Sequence, residues 1–154
     1  MLYEFRGVDL ADKETWPDYL EVYTLREDTP FAEGMDDFSL VMPTFVHNAP
    51  TQAKEFIEHL SDHPDALAKK LGCYLSPGLI GLDSDMAARV MSNSLRDPDV
   101  RPLVMDFMGA LVESEDENSV LGRLDLRQLA TVVRAYKVAR AGEVDAASRA
   151  QQAV

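Results

Sequence analysis

Val100-Arg101-Pro102-Leu103-Val104-Met105-Asp106-Phe107-Met108-Gly109-Ala110-Leu111-Val112 is the most strongly periodic stretch of the chain. Val100, Leu103, Val104, Phe107, Met108, Leu111 and Val112 recur at i, i+3, i+4, i+7, i+8, i+11 and i+12, the stripe of an amphipathic α-helix. Pro102 fits only in the first turn, where its missing N–H has no intrahelical role, so the helix is expected to start at about Asp99. Met105 falls off the main stripe beside Leu103 and marks a second apolar side. A helix apolar on more than one side is deeply buried or docks on another chain.

Helical spacing continues on both sides of this stretch. Ala53, Phe56, Ile57 and Leu60 fall at i, i+3, i+4 and i+7, and the helix they define is expected to stop at Ser61-Asp62-His63-Pro64, since proline disfavours a helical residue before it. A short helix with Ala66, Leu67 and Leu71 follows, with Gly72 expected as its C-terminal cap. Ser76-Pro77-Gly78 reads as a turn. Asp83 or Ser84 then caps a helix that carries Met86, Ala87, Val90 and Met91 inward. Beyond the acidic linker Glu113–Asn118, a last long helix is expected from about Asp125 to Ala141. Leu126, Leu129, Val132, Val133, Tyr136 and Ala139 share one arc of it, and Arg123, Arg127, Arg134 and Lys137 gather opposite.

The first 48 residues are less regular. Tyr3 and Phe5 alternate with Glu4 and Arg6 up to Gly7, a short strand pattern. Residues 19–25 suit a second strand or the continuation of a helix begun near Asp12, and Thr29-Pro30, Glu33-Gly34 and Met42-Pro43 punctuate the rest into loops around a short apolar piece, 38–46. The expected fold is therefore mainly α: about five helices around one core, with a small β or irregular N-terminal portion. The expected organisation is a single domain over 1–154, with an irregular or β portion at 1–48, a helical core at 50–142 and a tail at 143–154 that either frays or extends the last helix.

Composition bounds the function. The 154 residues with 46% apolar and 27% charged side chains suit a globular protein. One cysteine, Cys73, rules out an internal disulfide framework and favours a reducing compartment. Neither a signal-peptide pattern nor an apolar run of about 18 residues is present, which points to the cytoplasm and away from a membrane. The net charge of −12 disfavours direct binding to nucleic acid. That charge is uneven. Residues 1–48 hold eleven acidic side chains against three basic (net −8), 97–118 hold seven against one (net −6), and 119–154 hold six basic against three acidic (net +3).

Signals for chemistry are few. Glu55, His59 and His63 are spaced i, i+4, i+8, compatible with a zinc site, but Pro64 is expected to end the helix before His63 comes into line, and a solvated face ending in a cap is the simpler reading. Cys73 reads as a structural thiol. Ser92-Asn93-Ser94 lacks the Gly-x-Ser-x-Gly elbow, and no phosphate-cradling glycine loop occurs. Asp83/Asp85 read as capping residues, Met86, Met91 and Met108 as core fillers. No cofactor or metal and no catalytic residue is assigned.

The expected function is a non-enzymatic protein–protein interaction or assembly module (an adaptor, an accessory subunit or a chaperone-like protein) whose acidic and basic surfaces complement those of a protein partner, a second copy of the chain included. Small acidic helical proteins of this size are common among phage and bacterial accessory proteins, a likeness of bulk properties that no motif carries. The contacts singled out are Asp36, Asp37, Glu115, Asp116 and Glu117 on the acidic side and Arg123, Arg127, Arg134 and Lys137 on the basic side. Two alternatives are an acidic nucleic-acid mimic that inhibits a DNA- or RNA-binding protein, and a small enzyme with a histidine–carboxylate site.

Overall fold

The computed structural model describes residues 4–5, 8–9, 12–17, 42–114 and 120–152. The fold is mainly α. A minimal antiparallel pair, β1 (Glu4–Phe5) and β2 (Val8–Asp9), pairs Glu4 with Asp9 and Phe5 with Val8. Asp12 then caps a 3-10 turn, Lys13–Thr15, by accepting the Glu14 N–H. Residues 19–25 lie outside the described residues. So do residues 38–41, but 42–48 form a helix, α1, rather than the irregular segment expected. Met42 and Phe45 of α1 are buried in the same cluster as Trp16, so this helix contributes to the core.

Five longer helices follow. They are α2 (Pro50–Asp62), α3 (Ala66–Leu75), α4 (Ser84–Arg96), α5 (Arg101–Val112) and α6 (Leu126–Gln152). Ala49 breaks the path between α1 and α2 because Pro50 has no N–H to donate and disfavours a helical residue before it. The α2 stripe behaves as its spacing predicts: Ala53, Phe56, Ile57 and Leu60 are fully buried.

Gly72 does not cap α3. The helix runs on to Leu75 and a 3-10 turn, Ser76–Leu79, follows directly. A Cβ built on Gly72 would meet Leu60 Cβ at 3.1 Å and the Ser61 nitrogen at 3.3 Å, so the missing side chain lets α2 and α3 approach closely. The cap signal and the close-packing signal are the same letter in the sequence. Which one operates is decided by the neighbouring helix.

Asp83 caps α4 by accepting the Met86 N–H at 3.1 Å. The turn before it needs Gly81, whose φ of +106° belongs to the region that L side chains rarely adopt. α5 begins at Arg101, two residues later than expected. The Asp97 carboxylate accepts the Asp99 N–H at 2.9 Å and Asp97 O accepts the Arg101 N–H at 2.8 Å, so the Asp-Pro-Asp segment closes its own turn before the helix starts. Pro102 still falls at the second helical position.

Met105 does not face away from the core. Val104, Met105, Met108 and Gly109 are buried, while Leu103, Phe107, Leu111 and Val112 are partly covered. α5 packs against α3, α4 and α6 together, which demands apolar side chains around much of its circumference. Phe107 stacks on Tyr74 of α3 with ring centroids 4.1 Å apart.

α6 extends through the tail to Gln152, and at 27 residues it spans roughly 40 Å. Its buried face is centred on Val132, Ala135, Tyr136 and Ala139. Leu126, expected on that face, is 82% exposed, because it sits at the edge of the arc and Leu121 and Leu124 of the preceding segment are buried in the core instead. Among the described residues no helix is long and apolar enough to cross a membrane.

Candidate functional site

The start of α6 is fixed by a reciprocal cap. Asp125 accepts the Gln128 N–H at 2.8 Å, and the Gln128 side-chain oxygen accepts the Asp125 N–H at 3.1 Å. This is the aspartate–glutamine form of the capping box, and its Asp-x-x-Gln spacing is legible in the sequence. The Gln128 amide also donates to Ser84 Oγ at 3.1 Å and to Asp85 Oδ1 at 2.6 Å. One side chain therefore ties the N-terminus of α6 to the N-terminus of α4.

Beside that tie lies a groove of about 520 Å³ between α4 and α6. Arg89, Asn93 and Arg96 reach it from α4, and Arg127 and Thr131 from α6. All three guanidinium groups are exposed, and among the described residues none lies within ion-pair distance of a carboxylate. The groove's two carboxylates are already engaged: Asp85 by Gln128, Asp125 by the cap. The hydroxyls are turned inward along their own helices, Ser92 Oγ to Ala88 O at 2.7 Å and Thr131 Oγ1 to Arg127 O at 3.0 Å. The groove thus sets three guanidinium groups against two carboxylates, and guanidinium binds carboxylate or phosphate through paired N–H donors.

The basic residues singled out from sequence separate into different environments. Arg127 is in the groove, whereas Arg134 and Lys137 lie further along the exposed face of α6. Arg123 is not part of that face. It sits in the 3-10 turn Val120–Arg123 and donates to Ile80 O at 3.3 Å, buttressing the Gly81 turn. Arg140 is held by Glu113 at the end of α5, and Tyr136 Oη donates to the same carboxylate at 3.3 Å. Asp36, Asp37, Glu115, Asp116 and Glu117 lie outside the described residues. Arg89 and Arg96 were missed, because α4 reads as a capped apolar stripe and its cations acquire meaning only opposite α6.

No protein-family model, no curated protein and no solved structure matches the chain.

Glu55, His59 and His63 line one open pocket of about 490 Å³ beside Trp16 and Asp62, but they do not converge as a ligand set. Glu55 pairs with Lys13, and His63 has left the helix as the C-cap of α2, its Nδ1 accepting the Asp65 N–H at 3.0 Å. His59 packs against Trp16, ring centroids 5.1 Å apart, and against His63 at 5.9 Å. Burial, and next the neighbouring His63, push the His59 imidazole below its ordinary pKa, with Asp62 opposing. Among the described residues no three His, Cys, Asp or Glu side chains are grouped to hold a metal.

Cys73 lies inside α3, not after its end, and is fully buried with Sγ 3.8 Å from Met108 Sδ. Burial pushes the thiol up to about 12, which suppresses the thiolate that any nucleophilic role requires. Ser94 spends its hydroxyl on Val90 O at 2.9 Å. Asp83 combines two tasks: besides capping α4 it pairs with Lys54 at 2.9 Å, and the Lys54 hydrogen bond, then the Met86 N–H, hold its carboxyl below the usual range.

Proposed function

We propose that the protein is a non-enzymatic interaction module, an accessory or assembly subunit that offers the outward face of α6 to an acidic protein surface. The observation that supports this is the exposed pair Arg134 and Lys137. Among the described residues these cations have no carboxylate partner, in a chain whose net charge is −12. Leu126, Val138 and Val144 are exposed on the same helix at 82%, 74% and 58%, so apolar and cationic groups are interleaved there. Arginine beside apolar side chains is the composition that protein interfaces favour. The acidic residues that complement it on a second copy are those of the front of the chain, Asp36 and Asp37 among them.

Size-exclusion chromatography with light scattering, run at low and high salt, tests this reading. The parent should form a salt-sensitive assembly, and Arg134→Glu/Lys137→Glu/Val138→Glu should dissociate it while leaving the circular dichroism spectrum unchanged. A monomer at every salt concentration, together with equal capture of host proteins by parent and variant, would remove the proposal.

A further inference from the structure

The α4/α6 groove has a shape and chemistry that restrict what it can hold. Arg89 and Arg96 are seven residues, about two turns, apart on one helix, so their side chains leave the same face about 10 Å apart along its axis. Arg127 adds a third cation from the facing helix, which leaves the lining one positive charge in excess of its two carboxylates, Asp85 and Asp125. Ala88 is the one apolar residue of the lining and no aromatic ring contributes, so the groove has neither a stacking platform for a nucleobase nor a wall for an acyl chain. Several negative charges close together in sequence match it, because three residues can span up to roughly 10 Å.

The chain contains a segment of that kind. Glu113-Ser114-Glu115-Asp116-Glu117 belongs to the stretch of net charge −6 between 97 and 118. Glu113 is already held by Arg140, which leaves Glu115, Asp116 and Glu117. We propose that the α4/α6 groove of one copy, through Arg89, Arg96 and Arg127, binds the acidic stretch Glu115–Glu117 of a second copy. This inference rests on the interaction-module reading and names a partner and a second surface for it. In a two-fold dimer the contact forms twice, so two weak contacts reinforce one another.

The probe is a fluorescently labelled peptide spanning residues 112–119, titrated into the full-length protein and read by anisotropy. Binding should saturate. It should weaken by about tenfold or more in Arg89→Ala/Arg96→Ala/Arg127→Ala, the scale of one lost hydrogen bond to a charged group. It should persist in Arg134→Ala/Lys137→Ala, which alters only the outward face, so the two proposals fail separately. Full-length Glu115→Gln/Asp116→Asn/Glu117→Gln should be monomeric by light scattering yet still bind the peptide. Absence of peptide binding to both parent and neutralised variant would overturn the proposal. So would a neutralised variant that dimerises like the parent. Pyrophosphate binding without peptide binding would mark a small-anion site instead. Peptide binding by a monomeric neutralised variant alone, with a monomeric parent refusing it, would place the stretch in its own groove; both outcomes reject the second-copy contact.

Discussion

Two glycines inside helices test whether close packing or backbone propensity governs this fold. By propensity alone, Gly72→Ala in α3 and Gly142→Ala in α6 should each stabilise the protein by about 1 kcal/mol, because glycine costs that much in a helix interior. Their surroundings differ. A Cβ at Gly142 meets nothing within 4 Å, whereas one at Gly72 reaches Leu60 Cβ at 3.1 Å, the Ser61 nitrogen at 3.3 Å and the Leu60 carbonyl carbon at 3.5 Å. These neighbours are the first side-chain carbon and backbone of α2, which cannot rotate away; α2 must shift as a body. Overpacking a well-filled interior costs about 1–3 kcal/mol, so Gly72→Ala should be destabilising by roughly 1 kcal/mol after the propensity gain is subtracted. Gly142→Ala should raise helix content and leave global stability equal or higher, because the last turns of α6 open locally before the core does. Urea denaturation of both variants at one pH, followed by circular dichroism, gives the two midpoints. If Gly72→Ala moves the midpoint upward as Gly142→Ala does, the close approach of α2 and α3 is wrong.

Three further outcomes follow from individual side chains. Cys73 should resist a thiol reagent in the native protein at neutral pH and react fully after unfolding in denaturant, since both burial and its raised pKa withhold the thiolate; rapid native-state labelling would contradict the buried position. Asp83→Ala should cost about 1 kcal/mol through the lost cap of α4. Its carboxyl is lowered, so its contribution is present above the unfolded value of about 3.9 and fades as pH falls through the folded one; the variant's deficit should therefore shrink in acid, as read by urea midpoints at neutral and acid pH. His59 is lowered instead, so the neutral ring favours the folded state: stability is intact above about 6.5 and declines as pH drops from there to the folded value. Trp16, the one tryptophan of the chain, reports this directly, because a protonated imidazole at 5.1 Å quenches indole emission. A fluorescence step with its midpoint below 6.5, abolished in His59→Gln, is expected; a step unchanged by that substitution would assign the titration elsewhere.

The sequence by itself determined that α2 to α6 are helical and, for most of them, which side is buried; α1 it read as irregular. The stripes of α2 and α4 needed no tertiary information, because a 3.6-residue period and a capping aspartate at residue 83 are local properties. α5 was legible as a helix but not in its orientation. Its apolar residues cover more than half the circumference, and only the positions of α3, α4 and α6 decide that Met105 faces inward. Gly72 failed for a related reason, since a helix-ending glycine and a glycine that admits a neighbouring helix look alike until that neighbour is placed. Leu126 lay at the margin of its arc, where a small rotation of α6 separates core from solvent.

The candidate site was readable in half. The cations of α6 form a local pattern, and Arg127 was visible from it. Arg89 and Arg96 belong to a helix whose sequence speaks only of capping and core, and Arg123 belongs to a turn that it buttresses. Charge along a chain is additive and local, so the sequence supplied the gradient from −8 at the front to +3 at the end. A groove is a relation between two helices more than thirty residues apart. Gln128 ties α4 to α6 there, and only that packing brings three guanidinium groups around one space.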